Sequence, residues 1–363
     1  MGFLNRLPAR MDTFYARNRM WRNKGSDTAA NRRTVLSPSH VLVNIGGAGA
    51  HAYELEAAVE LDLDTAANWD DAQYATAANR AGKDFYIYAC VPVSGYTPVV
   101  VLSAATTYPA GYTADNSRKV GGFHCECVAV GTISGHALTG YLAGDILPRS
   151  VWDLEHRSSG PQAGMVWAGK TDFDTINYLS VWQAIYPASS TGANTASAFA
   201  AAASVSRDWY NFQNDLKAIG ARMLSDNEFT VLFTGSPEET NISGSANPTT
   251  CGGHSDTGSR RIISNIGAED LGGVWWTWLQ TLIPYISGAD VAAIEAYSWY
   301  DVAGGGAGSG SFYGQGGVPD GAALLAGGDW NYGADCGSRS RHAGNRRADS
   351  YSSIGCRFCA EPA

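Results

Sequence analysis

Asn265-Ile266-Gly267-Ala268-Glu269-Asp270-Leu271-Gly272-Gly273-Val274-Trp275-Trp276-Thr277-Trp278 is the stretch on which the reading of the fold turns. Trp275, Trp276 and Trp278 bring a large apolar area to one short segment, as a core poor in regular structure requires. Other short segments stand in line with it. Gly164-Met165-Val166 and Gly220-Ala221-Arg222-Met223-Leu224-Ser225-Asp226-Asn227-Glu228-Phe229 come before it. Gly327-Gly328-Asp329-Trp330-Asn331 and Ile354-Gly355-Cys356-Arg357 follow. Arg357 carries five N–H donors and is suited to tying loops together near the end of the chain.

Between these segments the sequence is mostly loop. Trp209, Phe212, Leu216, Ile219 and Met223 fall on one helical face. The spacing predicts a helix over them, weakened only slightly by Gly220. Ser225-Asp226-Asn227-Glu228 is a capping box: the Ser hydroxyl accepts from the Glu228 N–H, and the Glu side chain reaches back to the Ser225 N–H. A second short helix is expected through Phe229, Leu232 and Phe233, ending near Gly235. Residues 188–204 are rich in Ala, Ser and Thr without clear pattern. Gly304 to Gly317 reads as a flexible Gly/Ser loop.

The first part of the chain has a different texture. Residues 1–38 are polar and basic and read as an arm or connector. Val41-Leu42-Val43-Asn44-Ile45 is a short apolar run. Tyr53-Glu54-Leu55-Glu56 and Val59 to Asp64 alternate apolar and acidic residues, the pattern of half-exposed strands. Phe85 to Val91, Val99 to Leu102 and Phe123 to Val130 are further strand candidates. The expected organisation is therefore an arm (1–38), a β-rich domain (39–148) and a C-terminal domain (149–363). The fold class is α+β.

Composition narrows the function. Of 363 residues, 45% are hydrophobic, 16% charged and 11% aromatic, and 43 are Gly. Many aromatics with few charges exclude intrinsic disorder. Coiled coils need far more Ala, Glu, Lys, Leu and Arg. A net charge of −9 argues against general nucleic-acid binding. No apolar run reaches the roughly 18 residues of a membrane span. The basic start has no apolar core of a secretory signal and fits myristoylation poorly, with Arg at position 6. Synthesis in a cytoplasm without a signal peptide is expected.

Motifs for chemistry are weak. Gly46-Gly47-Ala48-Gly49 lacks the Gly-Lys-Ser/Thr of a phosphate loop. The histidines, at 40, 51, 124, 136, 156, 254 and 342, are scattered and read as surface or hydrogen-bonded residues. Glu238-Glu239 and Glu269-Asp270 read as solvated loop. Seven cysteines without regular spacing read as buried thiols. Cys125, Cys127, Cys356 and Cys359 form only a weak zinc pattern. No catalytic residue, metal site or cofactor is assigned.

The ordered segments resemble the formylglycine-generating-enzyme superfamily, a branch of the C-type lectin fold, over roughly residues 150–363. That family shows a G-x-R-L-P-T-E-A-E-W stretch, G-N-V-W-E-W, R-G-G-S-W and a closing G-F-R. The resemblance implies a C-type lectin-type domain. Its oxidases hold copper on a pair of cysteines near the C-terminus, whereas the matching stretch here has only Cys336. The family's calcium-binding Asn is Gly273 here. Copper oxidation is thus unsupported.

Residues 329–353 are almost all small or polar, with Tyr, His and Arg interspersed. They resemble the variable region of a diversity-generating-retroelement variable protein. In that family, adenines of a template are randomised, so AAC codons yield Tyr, Ser, Asp, His, Arg, Gly and residual Asn. Trp152 to Arg157, Gly252-Gly253-His254 and Ser264 to Gly267 resemble its phage tropism-determinant branch. The resemblance implies a non-enzymatic receptor-binding protein whose contacts are Asp329, Asn331, Tyr332, Asp335, Ser340, His342, Gly344, Asn345, Arg346, Asp349, Tyr351 and Ser353, all facing solvent. Trp330 is scaffold or contact. The implied partner is a protein or cell-surface receptor, without nucleic acid or membrane insertion. The N-terminal domain would attach the chain to a phage particle or cell-surface assembly, or form a homo-oligomer. Display on a virion or non-classical export would follow. Two alternatives stay open: a metal-dependent oxidase of the same fold, and a carbohydrate-binding lectin without diversification.

Overall fold

The computed structural model describes residues 21–37, 41–46, 50–92, 97–153, 163–168, 181–283, 298–301, 311–314 and 322–361. They fall into two compact units. One comprises Met1–Ala129, Tyr141–Ser159 and Pro362–Ala363; the other comprises Val130–Gly140 and Gly160–Glu361.

In the first unit, β1 (Arg22–Asn23), β2 (Thr34–Leu36) and β5 (Glu60–Asp62) form one sheet, and β3 (Val41–Ile45) pairs with β4 (His51–Leu55). A third sheet has the order β7-β6-β8-β9, with β6 at Asp84–Cys90, β7 at Val99–Ser103, β8 at Ser117–His124 and β9 at Trp152–Asp153. Apart from its first residue β6 is buried throughout, as an inner strand of continuous apolar run should be. Phe85 packs edge-on against Trp69 with ring centroids 4.9 Å apart.

Two expectations change here. Residues 21–37 are not an arm: Trp21 and Val35 are buried, Thr28 caps a turn of helix, and the Asn23 amide donates to the Asn31, Arg32 and Thr34 carbonyls. The strand expected through Val130 stops at His124. There the Glu126 carboxylate accepts from the Cys127 N–H at 3.0 Å and turns the chain.

In the second unit, β10 (Met165–Trp167), β11 (Trp182–Ala184), β21 (Phe358–Ala360) and β14 (Arg222–Met223) form a four-stranded sheet in that order. The six-stranded sheet runs β16-β17-β19-β18-β15-β20: β15 is Trp276–Ile283, β16 Ser298–Asp301, β17 Ser311–Gly314, β18 Ala322–Gly327, β19 Gly337–His342 and β20 Ile354–Cys356. A hairpin of β12 (Ala188–Ser189) and β13 (Ala196–Ser197) lies in the stretch that showed no pattern. Strand β17 occupies part of Gly304 to Gly317; the rest of that tract, like residues 154–157, lies outside the described residues.

The helix Trp209–Ala218 stops short of Met223, because Gly220 takes φ +70° and Met223 continues in β14. The capping box forms as expected and starts the helix Asp226–Leu232. Glu228 also holds Arg222 through two bonds, at 2.6 and 2.8 Å. Trp182, Trp278, Phe212, Phe229 and Phe233 are fully buried in this unit.

Glu269 and Asp270 are not solvated. Both are buried, in a polar knot that joins Gly252-Gly253-His254 to the Trp-rich segment. Arg261 Nη2 donates to both Glu269 oxygens at 2.6 Å. His254 Nδ1 lies 3.0 Å from Asp270. Buried Arg357 donates to the carbonyls of Ala184 (2.7 Å), Ile185 (2.6 Å) and Glu269, tying the end of β11 and the segment at Glu269 to the last strands. Burial pushes its pKa down to about 10. His124 and His136 are buried too; His136 Nε2 meets the Ile263 carbonyl at 3.1 Å.

Candidate functional site

The polar stretch 329–353 begins where β18 ends. Gly328 has φ +85°, and a Cβ there would sit 2.5 Å from Cys336 Sγ. The turn therefore needs glycine. Asp329 forms a bridge with Val274, and the Cys336 thiol donates to the Asp329 carbonyl at 3.3 Å. A 3-10 turn, Gly333–Asp335, leads into β19, which pairs antiparallel with β18 with Leu325 opposite His342. The chain then crosses back. Arg346 bridges Ala322, and the Ser353 carbonyl accepts from the Trp276 N–H at 2.9 Å. Strand β20 closes the excursion parallel to β15.

The side chains divide into three groups. Asn331, Arg346 and Tyr351 are exposed, Tyr351 by 53%. Tyr332, Asp335, Gly344, Asn345, Asp349 and Ser353 are half-buried. Asp329, Ser340 and His342 are buried, against the expectation that all twelve face solvent.

Each buried member has a partner that explains it. The Asp329 carboxylate accepts from the Asn331 N–H at 2.9 Å and from the Ser353 side chain. Desolvation nevertheless raises its pKa to about 6. Ser340 Oγ donates to the Asp335 carbonyl. His342 meets the Trp276 ring edge-on at 5.5 Å, and its Nδ1 accepts from the Gly344 N–H at 3.1 Å. Desolvation lowers its pKa to about 4, so it is neutral at pH 7. Tyr332 meets the same indole edge-on, also at 5.5 Å. Trp330 packs on the cluster of Ile242, Ile262, Val274 and Trp275, and its carbonyl accepts from Asn241.

Two arginines that sequence reasoning passed over fix the backbone of this stretch. Buried Arg341 donates to Asp226 and, at 2.8 Å, to Thr230 Oγ1, both on the helix Asp226–Leu232. It also lies 5.3 Å from the Phe229 ring centroid. Arg347 lies over Trp209 and Tyr210, and its carbonyl accepts from the Trp209 N–H at 2.9 Å. The Tyr351 carbonyl accepts from the Ser206 N–H at 3.0 Å. These partners lie far away in sequence, so no local spacing announces them.

Burial pushes the Cys336 thiol up, so it stands as a neutral thiol among its neighbours. All seven cysteines are free and buried, and burial likewise pushes up Cys125, Cys356 and Cys359, three of the four in the weak zinc pattern. Among the described residues no helix is long and apolar enough to cross a membrane.

With this geometry in place, comparisons with known proteins converge. Residues 26–153 match the family described as "Mtd second domain". A curated relative, the "Tail fiber receptor-binding protein" of Bordetella phage BPP-1, is 30% identical over 285 residues, covering 72% of this chain and 67% of the relative. Among solved structures, the "Major Tropism Determinant U1 Variant" superposes with a TM-score of 0.64 at 23% identity, over 91% of this chain and 81% of that one. The "Major Tropism Determinant M1 Variant" gives the same score and identity over 92% and 82%.

Proposed function

Because this chain belongs to the Mtd (major tropism determinant) family, we propose that it is a receptor-binding tropism determinant of a phage particle, diversified by a retroelement within 329–353. It is a binding protein and not an enzyme. Its second unit serves as a C-type lectin-type scaffold, and its first unit as the attachment or self-association module. The partner is a receptor on the surface of a host cell.

One observation carries the reading. The backbone of 329–353 is pinned at Asp329, Cys336, Arg341, Arg347 and Ser353, while Asn331, Arg346 and Tyr351 project into solvent. A surface that must accept many side chains needs this separation, because its residues then contribute little to the fold. Tyr offers rigid contact area, and Asn, Ser and Gly offer adaptable hydrogen bonding, the composition of antibody paratopes. The contacts are the exposed and half-buried members of the twelve. Asp329, Ser340 and His342 support them from beneath.

The test is a library that randomises Asn331, Tyr332, Asn345, Arg346, Asp349 and Tyr351, sorted separately for folding and for adsorption to bacterial cells. Folded members that differ in the cells they bind are expected. A library that mostly unfolds overturns the reading. Diversification has its own test: a reverse-transcriptase gene beside the coding sequence, with a near-copy of its 3′ end differing at adenines.

A further inference from the structure

The segment hydrogen-bonded to the Tyr351 end of the polar stretch belongs to a different part of the sequence. Tyr210, in the first turn of the helix Trp209–Ala218, is 43% exposed. It stands at right angles to Trp209, with ring centroids 5.4 Å apart. Trp209 is buried and fixed by its Nε1–H, which donates to the Leu279 carbonyl at 2.9 Å. The Arg347 guanidinium lies 5.2 Å from the Tyr210 centroid and 5.9 Å from that of Trp209. Two backbone hydrogen bonds, Trp209 N–H to Arg347 and Ser206 N–H to Tyr351, lock this end of the helix to the polar stretch.

The arrangement has three properties of a binding hot spot. Its residues are Tyr and Arg, the types that dominate such spots. Its geometry is pre-organised, since the guanidinium is stacked and the tyrosine is backed by a buried indole. It is joined through the backbone to the part of the stretch that carries exposed Arg346 and Tyr351, since Arg347 follows Arg346 and the Tyr351 carbonyl accepts from the Ser206 N–H. Tyr210 also lies outside 329–353, so it stays the same whatever is written into that stretch.

We propose that Tyr210, stacked with Arg347, is a constant flank of the receptor surface and supplies contact energy to a folded protein partner while the neighbouring positions choose which partner. The proposal rests on the receptor-binding reading above. It assigns energy and choice to different residues: a constant tyrosine outside 329–353, held against Arg347, beside a changeable surface.

The experiment uses a defined protein as probe. A library of the full chain, randomised at Asn331, Tyr332, Asn345, Arg346, Asp349 and Tyr351, is selected for binding to bovine β-lactoglobulin. Selected binders then receive Tyr210→Ala, Arg347→Lys and, as a control on the same helix, Lys217→Ala. The expected result is that Tyr210→Ala weakens most binders about tenfold or more, while Lys217→Ala leaves them within about twofold. Melting temperature is followed throughout; if Tyr210→Ala does not fold, Tyr210→Gln removes the ring while keeping a helix-forming residue. Binders whose affinity ignores both Tyr210 substitutions overturn the inference and leave the receptor-binding reading standing. A folded library that yields no binder to this probe overturns the inference, which requires a surface able to hold a folded protein, while the receptor-binding reading stands or falls by adsorption to bacterial cells.

Discussion

Arg341 reaches across 115 residues of sequence to donate its Nε–H to the Asp226 carboxylate at the start of the helix Asp226–Leu232. This bond, with those to Thr230 Oγ1 and the Ser338 carbonyl, makes an arginine inside a polar, changeable stretch part of the scaffold. Asp226 is half-exposed, so removing Arg341 leaves a solvated carboxylate and not a buried stranded charge. Arg341→Ala should then cost about 1–3 kcal/mol, below the range for fully buried pairs. Urea unfolding is the measurement, and a loss under about 0.5 kcal/mol would show that Arg341 anchors nothing.

The exposed members should behave in the opposite way. Asn331, Arg346 and Tyr351 replaced by Ala one at a time should each change stability by no more than about 0.5 kcal/mol. His342→Ala should cost about 2 kcal/mol or more, because it empties a site packed against Trp276. Thermal melts of the four variants decide it. Equal losses at Tyr351 and His342 would erase the distinction between display and support.

Gly328→Ala places a methyl 2.5 Å from Cys336 Sγ at a φ of +85°. A loss of about 2 kcal/mol or more is expected from strain and contact together. Adding Cys336→Ala should recover only part of it, since Cys336 Cα lies 3.0 Å from the added methyl and the backbone strain persists. Full recovery in the double variant would mean that the sulfur alone forbids the side chain.

How far the sequence could be read depended on how far apart the partners are. The Ser225/Glu228 cap was legible because both groups lie within one turn. The first helix falls short of its own apolar period, which continues past Gly220 where the helical backbone does not. Arg357 was legible as a tie by its donors, but the carbonyls it holds belong to residues 184, 185 and 269. Asp329, Ser340 and His342 look like surface because they are polar. Only the folded chain supplies the Ser353 side chain, the Asp335 carbonyl and the Trp276 ring that let them be buried. Likewise Arg341 and Arg347 read as two charges in a solvated run until the helices they grip are in place.

His254 gives the fold a pH dependence near neutrality. Desolvation opposes its protonation, but the hydrogen bond and charge of Asp270, with the charge of Glu269, outweigh it and raise its pKa above 6.5. A raised pKa in the folded state means the stabilisation is whole below pH 6.5 and fades as the pH climbs through the folded value. Stability measured by denaturant across pH 6 to 9 should therefore decline, and His254→Gln should flatten the decline. An unchanged slope in the variant would remove His254 as its cause.

Asp329 acts in a separate and lower window. Its pKa rises from an ordinary 3.8 to about 6, chiefly because burial penalises the charged form. The folded chain therefore holds a proton that the unfolded chain has released between those two values. Stability falls as the pH rises through that window, and at neutral pH the ionised carboxylate costs about 2–3 kcal/mol relative to its protonated form. Asp329→Asn keeps an oxygen that can accept from the Asn331 N–H but carries no charge. The variant should match the parent near pH 4 and exceed it by about 1–3 kcal/mol at pH 7, as read by urea unfolding at both values. Charge at this position would then be a burden on the fold, tolerated at the root of the stretch that carries the proposed contacts. If Asp329→Asn is instead less stable at both pH values, the carboxylate is needed for its bonds to Asn331 and Ser353, and its charge is not a cost at all.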